Sequence, residues 1–148
     1  MADVAFYHLT RKPLETALPE LLEKVVERGM KAVVRAGDEG RVKALNDLLW
    51  TYRKDAFLPH GCSEDGHGAS QPVWLTSGAD NPAGATVLLL VDGVAAADLE
   101  GYDRCLDLFD GRDEDAVAGA RDRWRVARSA GHSVTYWKQG ERGWEKGA

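Results

Sequence analysis

His60, Cys62, Asp65 and His67 stand within one short segment, and each of these residue types can bind zinc. Their spacing matches no established zinc module, and the surrounding stretch from Ser63 to Gln71 is polar and glycine-rich. A nucleophilic Cys62 activated by His60 or His67 would need a rigid elbow and an orienting third group, which such a stretch does not supply. The expectation is therefore a polar loop beside a packed His60, with no metal ligand and no catalytic residue. His8 falls in a strand and His132 just after a helix, where core packing or capping accounts for both.

A second group has a different chemistry. Arg121, Arg125 and Arg128 recur at helical spacing beside a narrow apolar stripe of Val117, Ala120, Trp124 and Ala127. Arg112 and Arg123 add further positive charge. A helix dipole favours cations in the C-terminal half, which explains the arginines but leaves Trp124 open. Guanidinium groups beside an indole suit a carboxylate with an apolar neighbour, because Arg offers a bidentate fork and the ring offers area to bury. A third feature lies upstream, where an amphipathic helix ending near Trp50 runs on into Tyr52, Phe57, Leu58, Pro59 and His60. Large apolar groups that continue past a helix end either fold back on the core or wall a recognition pocket.

The elements that would position these groups alternate. Val4 to Leu9 reads as a strand, and a helix runs from about Pro13 to Arg28, with Pro19 expected to kink it or delay its start. Lys31 to Ala36 is a second strand, and Asp38 caps a second helix with Val42, Leu45, Leu48 and Leu49 on its buried side. Pro72 to Thr76 and the almost wholly apolar Thr86 to Val91 are strands, the latter of the kind covered on both faces. Asp92 to Glu100 is irregular or briefly helical. Asp103 to Phe109 is a strand, Asp113 caps a helix to about Ala130, and Ser133 to Trp137 closes the series. Such βα units predict a single-domain α/β three-layer sandwich with a mostly parallel sheet over residues 1–139. Residues 140–148 read as a frayed tail, which Trp144 could dock.

This sheet would be Rossmann-like without a nucleotide loop. Thr10-Arg11-Lys12-Pro13 stands where Gly-x-Gly-x-x-Gly would be needed, and Gly37-Asp38-Glu39-Gly40 sets carboxylates where phosphates would sit. No Walker lysine loop occurs, so no cofactor is expected. The 148 residues carry a net charge of −5, which opposes direct nucleic-acid binding by the basic helix. Two cysteines far apart suit free thiols in a reducing cytoplasm. The N-terminus has no signal-peptide pattern, and the longest apolar run is too short to span a bilayer.

Taken in order, several segments together resemble the chi subunit family of bacterial DNA polymerase III. They are Phe6-Tyr7-His8-Leu9, Ala44 to Trp50, Phe57-Leu58-Pro59-His60, Pro72-Val73-Trp74-Leu75, Arg121-Asp122-Arg123-Trp124 and Ala130-Gly131-His132. The resemblance implies a non-enzymatic accessory subunit of the clamp-loader assembly. It would join the psi subunit, or another clamp-loader component, to single-stranded DNA-binding protein, whose acidic C-terminal tail it would capture. DNA would be met only indirectly. By the same resemblance Trp50, Phe57, Arg121 and Trp124 are the peptide-binding residues. Val117 departs from the family, which places a basic residue there, so Arg125 or Arg112 would have to take over that charge. The alternative is a nucleotide- or nucleic-acid-acting enzyme on a related α/β fold, which would need a phosphate loop or convergent carboxylates.

Overall fold

A computed structural model of the chain describes residues 2–10, 13–51, 60–62, 71–96, 98–140 and 143–146. The aromatic loop after Thr51, with Phe57, and the polar loop holding Asp65 and His67 lie outside them. The elements run β1 (Asp3–Leu9), α1 (Leu14–Glu27), β2 (Ala32–Arg35), α2 (Glu39–Thr51), β3 (Gly61–Cys62), β4 (Val73–Thr76) and β5 (Val87–Leu90). After a 3-10 turn at Leu99–Gly101 come β6 (Arg104–Asp110), α3 (Glu114–Ser129), β7 (Ser133–Gly140) and β8 (Gly143–Lys146).

The strands form one sheet in the order β3-β4-β2-β5-β6-β1-β7-β8. Every pairing is parallel except that of β7 with β8. This is the expected α/β sandwich. The central strands β2, β4 and β5 are buried throughout, as strands covered on both faces must be.

Side-chain alternation splits the core in two. On one face Val34, Leu75, Leu89, Leu106 and Leu108 meet Leu18 and Leu22 of α1 and Leu45 and Leu49 of α2. On the other, Val4, Phe6, Val33, Trp74, Leu88, Cys105 and Phe109 meet Ala120 and Ala127 of α3. Because β1 feeds a helix to one face and β6 feeds a helix to the other, their carboxyl ends flank a topological switch point.

Loops complete the layer beside α3, and two carboxylates pin them. Asp80 accepts from the Trp74 indole N–H at 2.6 Å and from the Thr76 hydroxyl. Asp98 accepts two hydrogen bonds from buried Arg35, at 2.7 and 2.9 Å.

Three local outcomes refine the sequence reading. Pro19 does not delay α1, which starts at Leu14 and runs through it; its ring is buried and the one bond it forgoes would go to exposed Glu15. Asp113 does cap α3, accepting from the Asp115 and Ala116 amides. The stretch read as a frayed tail contributes β8, and its Trp144 ring meets Tyr7 edge-on at 4.8 Å. Among the described residues no helix is long and apolar enough to cross a membrane.

Candidate functional site

α3 begins at a good cap and ends at Gly131, whose φ of 87° is the left-handed turn that glycine adopts freely. The Gly131 amide donates to the Arg128 carbonyl and that of His132 to Ala127. The helix is thus fixed at both ends, and its small residues Ala120 and Ala127 let it lie close to the sheet. Its neighbours are the alternate residues of β1 and β7 that face it.

Between them is a concavity of about 370 Å³. Phe6 and His8 of β1, Phe109 of β6 and Tyr136 of β7 form its floor, while Val117, Ala120, Arg121, Trp124 and Arg125 form its roof and rim. The Trp124 ring packs on Phe6 at 5.5 Å between centroids and meets Tyr136 edge-on at 6.4 Å. His8 meets Phe109 and Tyr136 edge-on, at 5.1 and 5.7 Å, and its Nδ1 is hydrogen-bonded to the Tyr136 hydroxyl. Trp124 is half-buried, one face on the core and the other toward the opening.

The cations divide by partner. Arg123 turns under the helix and donates to buried Asp107 at 2.6 and 3.1 Å. Arg125 is exposed and pairs with Asp122 at 3.2 Å across one helical turn. Among the described residues Arg121 has no carboxylate partner. Its charge acts on Tyr136, opposing the burial that raises the Tyr136 pKa. An unpaired guanidinium at the lip of an apolar, aromatic cleft can hold a carboxylate in bidentate fashion while the rings cover an attached apolar group.

Arg121, Trp124 and Arg125 are therefore brought together as the sequence implied. Val117 lines the same cleft and extends its apolar wall, while Arg112 lies elsewhere, against Asp110. Trp50 is not brought to them. It sits at the end of α2, on the opposite face of the sheet from α3, so the expected junction of Trp50 with Arg121 and Trp124 is corrected. Its indole is half exposed and lies 4.7 Å from the His60 ring. Phe57 lies outside the described residues. Sequence reasoning missed Phe6, His8, Phe109 and Tyr136 as cleft residues; their period-2 spacing within strands that flank α3 is the signal that marks them.

Of the other sequence candidates, His60, Cys62, Cys105 and His132 lie among the described residues. His60 is buried with Nε2 3.2 Å from the Asn46 carbonyl oxygen, and Cys62 is buried in β3. Among the described residues no group of His, Cys, Asp and Glu could hold a metal. His132 accepts from the Ala2 amide at 3.0 Å. Burial pushes the Cys105 thiol up to about 12.

A larger crevice of about 630 Å³ opens at the switch point, where an α/β sheet would hold a nucleotide. Each arginine that lines it has a carboxylate partner: Arg41 with Asp92, Arg112 with Asp110 and Arg123 with Asp107. Asp113, Asp115 and Glu15 add further acid. Phosphates would meet net repulsion there, which counts against the enzyme alternative.

The chain is an open α/β sheet in which Arg121, with no carboxylate partner among the described residues, stands over an aromatic cleft. The chain belongs to the DNA polymerase III chi subunit family, whose model, described as DNA polymerase III chi subunit, HolC, matches residues 1–135. The probable DNA polymerase III subunit chi of Rickettsia prowazekii is 33% identical over 91 residues, which cover 62% of this chain and 55% of that protein. The chain thus spans about half the length of that relative. The DNA polymerase III subunit chi of Pseudomonas aeruginosa is 31% identical over 117 residues, 77% of this chain and 78% of that protein. The family is one of accessory rather than catalytic subunits.

Proposed function

We propose that this chain is a cytoplasmic replisome adaptor that links the DNA polymerase III clamp-loader complex to single-stranded DNA-binding protein by holding that protein's acidic C-terminal tail. The observation that supports it best is Arg121, without a carboxylate partner among the described residues, at the lip of the cleft roofed by Trp124. The terminal carboxylate would take Arg121, the apolar side chain that bears it would enter among Phe6, Trp124 and Tyr136, and Arg125 would attract the acidic residues before it. Val117 makes the cleft more apolar and leaves that attraction to Arg125. DNA is reached through the tail's owner. On the clamp-loader side the partner is psi or an equivalent component. The exposed indole of Trp50 is assigned to a separate apolar contact on the α2 face.

Calorimetry with a synthetic acidic peptide ending in a large apolar residue tests the tail site. Arg121→Ala is expected to cost about 1.5–3 kcal/mol, the range for a hydrogen bond to a charged group. Trp124→Ala is expected to weaken the peptide too, without unfolding the domain. Unchanged affinity in both variants would sink the assignment.

A further inference from the structure

The floor of the cleft holds a titratable pair that packing alone does not require. His8 lies on β1 with its ring directly over Gly111, where a Cβ would coincide with the imidazole. The Gly111 amide is committed to the Leu9 carbonyl at 2.7 Å, and the Nε2 edge of the His8 ring lies against Gly111. In the neutral tautomer that carries its proton on Nε2, beside Gly111, Nδ1 is a lone pair. Tyr136 must then donate its only proton inward to Nδ1. In this state the Tyr136 oxygen offers the cleft lone pairs alone, which a carboxylate cannot use.

We propose that His8 and Tyr136 are positioning residues for the ligand carboxylate. Protonation of His8 reverses their hydrogen bond and releases the Tyr136 hydroxyl proton to the ligand, so carboxylate and proton bind together. This deepens the tail-site reading and rests on it. Once Nδ1 carries hydrogen it donates to the Tyr136 oxygen, and the phenol can donate to an oxyanion held by Arg121. The groups around His8 set the starting point. Burial and Lys138 of β7 lower its pKa, whereas the Gly111 backbone and Asp110 of β6 act the other way. From α3, Arg121 and Arg125 line the same cleft and also disfavour a second positive charge until an anion arrives. His8 is therefore neutral in the empty cleft near neutral pH, and the anion supplies the reason to protonate it.

The test is peptide calorimetry at several pH values, each in two buffers of different ionisation enthalpy, with the acidic apolar-ended peptide as free acid and as C-terminal amide. The free acid is expected to bind about tenfold more tightly at about pH 5.5 than at about pH 7.5, equivalent to one charge-assisted hydrogen bond, with net proton uptake. His8→Leu should abolish both the pH dependence and the proton uptake. Tyr136→Phe should narrow the preference for acid over amide at low pH. A flat wild-type profile, or a His8→Leu profile as steep as the wild type, overturns the proposal. If Arg121→Ala leaves affinity unchanged at every pH, the tail-site reading itself fails and takes this inference with it.

Discussion

Arg123 grips the buried carboxylate of Asp107 through two hydrogen bonds, 2.6 and 3.1 Å long, and so leaves the cationic face of α3 although it stands only two residues from Arg121. Burial pushes the Asp107 carboxyl up and the Arg123 guanidinium opposes that shift. Two arginines on one helix thus have different surroundings: one ties α3 to the sheet, the other lines the aromatic cleft.

Arg123→Met should leave Asp107 buried without a partner and destabilise the domain by about 3–5 kcal/mol. Urea denaturation measures it. Asp107→Asn in the same background should recover part of the loss, because the uncompensated charge is then gone. A stable Arg123→Met single variant would show that solvent reaches Asp107.

Trp50 and Trp124 should separate in a binding assay. With α2 and α3 on opposite faces of the sheet, Trp50→Ala is expected to leave affinity for the acidic peptide within about twofold, and Trp124→Ala to reduce it at least tenfold. Equal losses in the two variants would mean that the peptide wraps around the domain.

Gly111→Ala should cost about 1–3 kcal/mol by overpacking, since its methyl group would occupy the space of the His8 ring. A thermal melt of the single variant and of Gly111→Ala with His8→Ala checks the cause. Stability should return largely in the double variant, a coupling expected of residues in contact.

The Arg35–Asp98 pair predicts part of the acid limb of stability. The Arg35 hydrogen bonds hold the Asp98 carboxyl below its ordinary range. A depressed folded-state pKa contributes stability above the unfolded value, about 3.9, and that contribution is lost as pH falls through the folded value. Asp98→Asn should therefore lower the urea midpoint at neutral pH and flatten its decline below about pH 4. Parallel curves for the two proteins would remove the pair from that role.

Much of the architecture was legible because each element announces itself locally. The Asp113 cap, the Gly131 stop and the apolar run from Val87 to Val91 fix type and extent without reference to the rest of the chain. The layer each helix joins was not legible. Periodicity shows that Leu45 and Leu49 share a buried side of α2, but it does not say which face of the sheet they meet; only the family resemblance groups Trp50 with Trp124. Gly143 to Lys146 gave no strand signal, because a four-residue strand with one aromatic depends on its pairing with β7. The arginine ladder of α3 was visible as a pattern, yet only the position of Asp107 inside β6 reveals which rung turns inward.

The two ends of the described sheet have a consequence for life in a crowded assembly. One border is β3, two residues long, and the other is β8, four residues long and bearing Glu145 and Lys146. Short, charged borders offer little backbone for another chain to copy, so a long parallel sheet is kept from growing by self-templated strand addition. Neighbours that crowd against this protein are left to read its side chains.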